Sequence, residues 1–283
     1  MKLNEIYIRD PFILSEEGAY YMYGKREGDD LSFWVYKSYD LENWEPQKPV
    51  FIPPADFWSD RDFWAPEVHK YNGKFYMLAS FKAEGKNRGT QICVADSPDG
   101  DFVPLTKKPV TPEDWMCLDG TLYIDKKGKP HIVFCHEWCQ IGDGTVCEME
   151  LSEDLTCAVS SPRVLFSASD YKDCADIDPK NGTTKVTDGP FLYRTKTGAL
   201  LCIWSSFNKD GYCELIARSD NGDIDGNWSV DDIPLADKDG GHGMIFETFE
   251  GKKMFVLHRP NTHPNERANL TEIVEIGDTI RIK

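Results

Sequence analysis

The chain has 283 residues, of which 40% are apolar and 12% aromatic, and this composition excludes an intrinsically disordered protein. Its formal net charge of −16 argues against a nucleic-acid partner, because binding to phosphates requires a basic surface. No run of about 18 apolar residues is present, so we expect neither a membrane-spanning helix nor a membrane partner.

The N-terminus and the cysteines favour a cytoplasmic protein. Residues 1–6 lack the long apolar segment of a signal peptide. Several of the nine cysteines lie within apolar, strand-like runs, as expected of buried thiols in a reducing compartment: Cys93, Cys135, Cys202 and Cys213. A secreted protein whose leader had been removed would show the same pattern, so that alternative stays open.

A short pattern recurs five times along the chain: a first residue that is mostly short and polar, then Gly or Pro, then a run of strand-forming residues. Aligned without gaps, the five copies open at Asp10, Ala65, Asp119, Asp188 and His242. A turn and a second apolar strand follow each copy. Units of roughly 40 to 50 residues with several short strands are typical of propeller blades. We therefore predict an all-β fold, a single-domain five-bladed β-propeller over residues 1–283 with blades opening near 10, 65, 119, 188 and 242.

Turns and chain ends complete the predicted ring. A turn rich in Ser, Asp and Gly follows a strand in each of the first four units and is expected to mark the outer strand, for example at residues 38–43. The alternation of residues 269–276 predicts a late strand of the last unit. We expect residues 2–8 to add the outermost strand there, because an unclosed propeller would leave an open sheet edge.

The innermost strands of a propeller line its axis, so their first residues are expected to meet at one end of the central tunnel. This places Asp10, Asp119, Asp188 and His242 together. Crowded carboxylates raise one another's pKa, and such groups persist where they perform acid–base chemistry or bind a cation. We predict that the three aspartates are catalytic. His242 is either a metal ligand or a hydrogen-bonded core histidine.

The second strand of each unit runs back to the same end, and its last residues are expected to surround the pocket. Candidate substrate-binding residues in or near this outer ring are Trp64, Glu137, Ser205 and Arg259. Planar donors, hydroxyl groups and an aromatic face suit a sugar, which combines hydroxyl groups with an apolar C–H side. Each aromatic residue, taken alone, is also compatible with core packing.

Five short segments of the chain resemble glycoside hydrolase family 43, whose members are five-bladed propellers that include arabinofuranosidases, arabinanases and β-xylosidases. The segments are Arg9–Pro11, Trp64–Glu67, Asp119, Gly189–Pro190 and His242–Gly243. The resemblance covers nearly the whole chain. It implies an inverting hydrolase acting on α-L-arabinofuranosides or β-D-xylosides of plant hemicellulose and pectin oligosaccharides.

The resemblance also implies roles for individual residues. Asp10 would be the general base and Asp119 the carboxylate that orients the acid and raises its pKa. Arg259 would bind the oligosaccharide substrate, and His242 would help to hold a hydrated calcium ion or a similar cation, with no organic cofactor.

One position departs from the family pattern. Asp188 stands where the family has a glutamate as general acid, and its side chain is one methylene shorter. Three possibilities follow: Asp188 is the acid, Glu137 delivers the proton, or hydrolysis is poor.

Two other functions are compatible with the sequence. A glycoside phosphorylase would need several cations around its phosphate, and only Lys25 and Arg259 are placed for this. A non-catalytic carbohydrate-binding propeller could use the acidic ring only to hold a cation.

Overall fold

The computed structural model describes residues 1–26 and 28–283, and it confirms the predicted five-bladed β-propeller. Five antiparallel sheets each contain four strands that are consecutive in the chain. The first strand of each sheet contacts the first strand of the next sheet, and that of the fifth sheet contacts that of the first. This cyclic order closes the ring. Within the described residues, no helix has the length and apolarity needed to cross a membrane.

The twenty strands fall into five blades. The first two blades comprise β1 Phe12–Glu16, β2 Ala19–Arg26, β3 Asp29–Ser38, β4 Lys48–Phe51, β5 Arg61–Tyr71, β6 Lys74–Lys82, β7 Gly89–Ala95 and β8 Val103–Pro104. The third and fourth comprise β9 Cys117–Ile124, β10 Pro130–His136, β11 Thr145–Glu150, β12 Arg163–Ser167, β13 Asp188–Arg194, β14 Leu200–Asn208, β15 Gly211–Ser219 and β16 Trp228–Val230. The fifth comprises β17 Gly241–Glu247, β18 Lys253–Arg259, β19 Arg267–Ile276 and β20 Thr279–Ile282. Helical segments are short: α1 Trp138–Ile141 and 3₁₀ turns at Leu3–Glu5, Ala168–Asp170 and Pro179–Asn181.

A left-handed residue lies in the first half of each inner strand or just before that strand, and it shapes the end of the tunnel. These residues have φ between 46° and 55°, and they are Asp10, Ala65, Asp119, Gly189 and His242. Each is followed by Pro or Gly, and regular pairing is in place two residues after the left-handed one. Proline fits here because a bulged residue need not donate to the ladder.

This geometry corrects the predicted alignment of the fourth blade. Gly189, rather than Asp188, occupies the position equivalent to Asp10, Asp119 and His242. Asp188 pairs with Ser205 and is equivalent to the residue before the left-handed one in the other blades. The first-residue alignment followed the aspartates, whereas the bulge is fixed by the left-handed residue and the Pro or Gly after it.

The ring does not close in the way predicted for residues 2–8. The outer strand of the fifth blade is β20, which pairs with Ile273–Ile276 of β19. Because β20 already covers that edge, the N-terminal segment is not needed there. It forms the Leu3–Glu5 turn, and the backbone N–H of Ile8 donates to the carbonyl of Glu266 at 3.3 Å.

The Ser–Asp turns follow the third strand of a blade, so the short fourth strand, and not the third, is the outer one. In the first blade Asp40 Oδ1 accepts hydrogen bonds from the backbone N–H groups of Glu42 and Asn43 at 2.9 and 2.7 Å. The indole of Trp44, which is 2% exposed, then packs beneath the blade. The predicted burial of Cys93, Cys135, Cys202 and Cys213 is confirmed.

Candidate active site

A cavity of about 360 Å³ lies at the end of the tunnel where the inner strands begin. The fold brings Asp10, Asp119, Asp188 and His242 together in its wall, and every blade contributes at least one lining residue. The other lining residues are Tyr7, Arg9, Lys25, Asp30, Trp64, Ala65, Pro66, Leu118, His263 and Glu266.

Asp10 is surrounded by cationic or potentially cationic groups. Its Oδ1 atom lies 3.2 Å from Nδ1 of His242, 3.2 Å from Nδ1 of His258 and 3.7 Å from Nε of Arg9. Burial raises the pKa of this carboxyl, but His242, His258 and Arg9 outweigh burial and hold its pKa well below the usual range. Asp10 is therefore a carboxylate at neutral pH. Its side chain is 13% exposed, so the cavity can reach it.

Asp119 is held by hydrogen bonds from two neighbouring blades. Its backbone N–H donates to Ser80 Oγ at 2.8 Å, and its Oδ2 atom accepts from the backbone N–H of Gly189 at 3.1 Å. Burial, followed by the negative charge of Asp10, raises the pKa of Asp119 well above its ordinary value. A carboxyl in this position resists ionisation while Asp10 is charged.

Asp188 lines the same cavity and accepts a hydrogen bond from the hydroxyl group of Tyr212 at 3.1 Å on Oδ2. Burial raises the pKa of Asp188 to about 7, with a further contribution from the charge of Asp119. The hydrogen bond from Tyr212 opposes the increase. Near neutral pH a substantial fraction of Asp188 therefore carries a proton, in the same cavity as ionised Asp10.

His242 is fixed from behind by two fully buried residues. Ser205 Oγ accepts from the backbone N–H of His242 and donates to Oε2 of Glu214, both at 2.6 Å. Glu214 Oε2 also accepts from the backbone N–H of Gly243 at 3.0 Å. Burial raises the pKa of Glu214 to about 8, so it is a neutral acid at pH 7. The side chain of His242 rests on Gly189, where a Cβ atom would lie 2.7 Å from the ring.

Ser205 and Arg259 do not lie where the sequence placed them. Ser205 is 0% exposed, does not line the cavity and bonds to the backbone of His242. The guanidinium group of Arg259 donates to the backbone carbonyl of Asp237, and Arg259 does not line the cavity. The two residues differ for separate reasons: Ser205 points into the blade and is covered, whereas Arg259 is half-buried and its side chain turns toward Asp237.

Trp64 and Glu137 are joined through Arg88 at the rim of the site. The guanidinium carbon of Arg88 lies 3.7 Å from the ring centroid of Trp64, and its Nε atom donates to Glu137 Oε1 at 3.0 Å. Arg88 also pairs with Asp62 at 3.1 Å. Trp64 is 36% exposed and lines the cavity, whereas Glu137 is 4% exposed and does not line it.

The sequence pattern assigns no role to four residues that contact the site: Arg9, Tyr212, Glu214 and His258. Arg9 stands beside Asp10 in the sequence, and this adjacency could have indicated a partner for the carboxylate. Tyr212 and Glu214 lie on the third strand of the fourth blade, outside the repeated pattern. Their spacing of two residues on a strand, which places both on one face, is the only available signal.

The predicted metal ligand His242 does not form part of an evident cation cage. Within residues 1–26 and 28–283, no three or more His, Cys, Asp and Glu side chains are grouped to hold a metal ion. Calcium prefers six to eight oxygen ligands, and the Nδ1 atom of His242 already faces Asp10. The described side chains alone therefore do not fit a calcium site.

The fold and the acidic cavity define a propeller glycoside hydrolase of the five-bladed class. The family model for glycosyl hydrolases family 43 matches residues 5–278, and the chain belongs to that family. Among solved structures, the chain is similar to an endo-arabinase from Bacteroides thetaiotaomicron, with 40% identity, a TM-score of 0.93, and coverage of 98% of this chain and 97% of that one. A thermostable family-43 glycoside hydrolase is 22% identical with a TM-score of 0.85 and covers 100% of this chain and 96% of its own, a likeness that shows the fold alone.

A characterised relative is more distant. The extracellular endo-alpha-(1->5)-L-arabinanase 1 of Bacillus subtilis (strain 168) is 29% identical over 149 residues, which is 49% of this chain and 46% of that protein. The matched region thus spans about half the length of that relative.

Proposed function

We propose that this protein hydrolyses α-L-arabinofuranosyl linkages of arabinan oligosaccharides with inversion of configuration. Asp10 is the general base, Asp188 the general acid, and Asp119 the residue that positions the acid and sets its pKa. The observation that carries this proposal is the contrast between two carboxyls in the wall of one cavity. Asp10 faces His242, His258 and Arg9, which keep it ionised, whereas burial raises the pKa of Asp188 to about 7. A pair of carboxyls whose environments separate their pKa values is what acid–base hydrolysis of a glycoside requires.

The proposed reaction has a single displacement step. Asp10 accepts a proton from a water molecule as the water oxygen bonds to the anomeric carbon. Asp188 donates its proton to the glycosidic oxygen as the bond from that oxygen to the anomeric carbon breaks. The products are a sugar of inverted anomeric configuration and an alcohol, and proton exchange with solvent then restores both carboxyls.

The contacts of Glu137 favour Asp188 as the acid. Glu137 is 4% exposed, is paired with Arg88 at 3.0 Å and lies outside the wall of the catalytic cavity. To deliver a proton it would have to leave a buried ion pair, which is costly. Asp188 instead lines the cavity and is protonated in a substantial fraction of molecules near neutral pH.

Arabinan is the substrate that the relatives support best. The 40% identical structure is named an endo-arabinase, and it aligns over nearly the full length of both chains. This supports cleavage within a chain of arabinofuranosyl residues. Release of β-D-xylosyl residues is the alternative to be tested beside it.

The contacts of the cations disfavour a phosphorylase. Lys25 pairs with Asp30 at 2.6 Å, and Arg259 is bound to the backbone carbonyl of Asp237. Arg9 faces Asp10 and pairs with Glu266 at 3.1 Å. A phosphate would therefore have to compete with carboxylates for each lysine or arginine of the site.

A hydrated cation beside His242 is a separate proposal, in which the ion would support the active shape of the site without taking part in the proton transfers above. Because the described side chains form no cage, such an ion would take most of its ligands from water. Activity that is lost with a chelator and restored by calcium, but not by magnesium, would support it. Unchanged activity after exhaustive chelation would reject it.

The test compares the protein with its Asp10→Asn variant on linear arabinan, nitrophenyl α-L-arabinofuranoside and nitrophenyl β-D-xyloside. We expect turnover of arabinan and a fall in kcat of about 10³-fold in the variant, because the base is removed. Asp30→Asn is the matched control, since Asp30 lines the same cavity but its side chain is 86% exposed. The anomeric configuration of the first product, followed by NMR, tests inversion.

Three outcomes would overturn the proposal. Sugar binding without turnover would indicate a carbohydrate-binding protein, and activity only in the presence of phosphate would indicate a phosphorylase. Full activity of Asp10→Asn would show that Asp10 is not the base.

A further inference from the structure

A second and larger cavity, of about 980 Å³, lies on the same face of the propeller as the catalytic cavity. Its walls include the loop between β6 and β7 and the segment at residues 107–113 that leads to β9. Strand β6 ends at Lys82 and β7 begins at Gly89. Because β6 is antiparallel to the inner strand β5, that loop stands at the end of the blade where the inner strands begin.

The walls of this cavity are basic, although the whole chain carries a formal charge of −16. Six of the lining residues are basic and two are acidic. The basic residues are Arg61, Lys82, Lys86, Arg88, Lys107 and Lys108. The negative charge of the whole protein repels anions, but these clustered basic side chains create a locally positive potential that attracts an anion.

Three of these cations have no carboxylate partner. Arg61 pairs with Glu84 at 2.9 Å and Lys108 with Glu113 at 3.1 Å, while Arg88 is held by carboxylates at the rim of the active site. Among the described residues, no Asp or Glu oxygen lies within 4.0 Å of the ammonium group of Lys82, Lys86 or Lys107. Lys86 and Lys107 are exposed and Lys82 is half-buried.

Trp58 supplies an aromatic surface in the same cavity. Its indole N–H donates to Gln91 Oε1 at 3.1 Å, and its ring packs on Phe57 and Phe81 with centroids 6.0 and 6.4 Å away. These contacts fix the ring while it remains partly exposed. An immobilised indole beside ammonium groups suits a pyranose that has an apolar C–H face and a carboxylate.

Arg88 and Trp64 form the wall between the two cavities. Arg88 lines the basic cavity, Trp64 lines the catalytic one, and the guanidinium carbon lies 3.7 Å from the ring centroid. The two cavities are therefore adjacent and are separated by this one pair of side chains.

We infer that this basic cavity is a binding site for uronic acid residues, in which Lys82, Lys86 and Lys107 contact carboxylates and Trp58 contacts a sugar ring. The inference rests on the proposed function for one point only. That point is that the bound uronate belongs to a carbohydrate whose arabinofuranosyl part is cleaved in the catalytic cavity. The cavity selects arabinosyl chains that are attached to an acidic polysaccharide.

Binding is tested in the Asp10→Asn background, so that the result does not depend on turnover. The ligand is an oligomer of galacturonic acid, and the comparison ligand is the same oligomer with its carboxyl groups reduced to alcohols. We expect the triple variant Lys82→Gln, Lys86→Gln, Lys107→Gln to raise Kd for the acidic oligomer roughly tenfold at low salt, since each exposed ion pair contributes less than a factor of about five. The difference should largely vanish in about 1 M salt, where the screening length is about 3 Å.

The matched control removes three exposed lysines from turns on the opposite face: Lys127→Gln, Lys196→Gln, Lys252→Gln. Its net charge is the same as that of the triple variant, so equal weakening in both would show that only the overall charge matters and would overturn the inference. Equal affinity of the acidic and reduced oligomers would overturn it as well. Trp58→Phe, which keeps an aromatic side chain in the core, should weaken the binding of both oligomers.

A kinetic measurement in the otherwise unaltered protein separates this inference from the proposed function. The triple variant should lower kcat/KM for arabinosyl-substituted galacturonan and leave kcat/KM for neutral arabinan unchanged. If neither substrate is cleaved but the acidic oligomer still binds through the lysines, the proposed function fails and the uronate site stands. If free galacturonide binds but the triple variant changes kcat/KM equally for both substrates, the site recognises a separate polymer. The inference that one carbohydrate occupies both cavities would then be wrong.

Discussion

The carboxylate of Asp119 accepts a hydrogen bond from the backbone N–H of Gly189 at 3.1 Å, across the boundary between the third and fourth blades. Gly189 directly follows Asp188, so Asp119 fixes the backbone beside the proposed acid. Asp119 also contributes, after burial, to the raised pKa of Asp188. Asp119 thus affects both the position of the proposed acid and its pKa.

The Asp119→Asn variant should therefore be active over a lower range of pH. When Asp119 ionises, its charge disfavours ionisation of Asp188. Asparagine can never carry that charge, so the pKa of Asp188 falls and the acid is deprotonated earlier. We expect the alkaline limb of kcat/KM, near pH 7 in the unaltered protein, to move down by about one unit. Asp225→Asn, an exposed substitution on the opposite face, should leave the profile in place. A limb that moves upward would contradict the assignment of Asp119.

Tyr212→Phe should shift the same limb in the other direction. The hydroxyl group of Tyr212 donates to Asp188 Oδ2 at 3.1 Å and lowers the pKa of the carboxyl. Without that donor the pKa of Asp188 rises, and activity persists to higher pH. The profile of kcat/KM against pH measures this, and Tyr193→Phe, whose hydroxyl group bonds to Glu275 in another part of the fold, is the control. An unchanged limb would mean that another group titrates there.

Asp188→Asn should impair substrates according to their leaving group. In arabinan the leaving group is a sugar alkoxide, which needs a proton to depart. We therefore expect the variant to lose about 10²- to 10³-fold in kcat/KM on arabinan. From a dinitrophenyl arabinofuranoside the dinitrophenolate ion departs without a proton, so kcat/KM on this substrate should fall by less than about tenfold. The two rates are measured on the same enzyme preparation. Equal losses on both substrates would indicate that Asp188 acts by binding, and Glu137→Gln tests whether the proton comes from there instead.

Glu214 should make stability fall as pH rises. Its pKa is raised from 4.5 to about 8 in the folded protein, so the folded state holds the proton more tightly than the unfolded chain. The resulting stabilisation is complete below pH 4.5 and is lost progressively up to about pH 8. Urea unfolding of Glu214→Gln at several pH values should show a smaller decline than the unaltered protein, because the amide stays neutral.

Ser205→Ala tests the support of His242 independently of titration. The substitution leaves the N–H of His242 and the carboxyl of Glu214 without their shared partner. The cost is about 1–3 kcal/mol in the free energy of unfolding, measured in urea at constant pH. Ser169→Ala, at an exposed hydroxyl group, should cost far less. A change below about 0.5 kcal/mol would contradict the bridging role of Ser205.

Most of the fold could be predicted from the repeated pattern, because each blade contains the same bulge followed by Gly or Pro. It also located the acidic cavity, since Asp10, Asp119 and His242 share one backbone position. Asp188 reached the same cavity from the neighbouring position, and the sequence signal that would have placed it is Pro190, the counterpart of Pro11 and Pro66. The prolines, more than the aspartates, mark the register.

The side chains behind the cavity could not be predicted in the same way. The roles of Ser205, Tyr212 and Glu214 depend on which face of a second or third strand meets the neighbouring inner strand, and that depends on the packing of whole blades. Ring closure also escaped prediction, because a short strand such as β20 has little periodicity of its own.

Ala65 gives the ring an unused position. It has the same left-handed backbone as Asp10, Asp119 and His242, lies in the wall of the same cavity, and presents only a methyl group. Ala65 already has a Cβ atom at this left-handed φ. Replacing it with a larger residue would therefore add little backbone strain. Directed evolution of a new specificity could begin at this one codon while the rest of the catalytic apparatus is left intact.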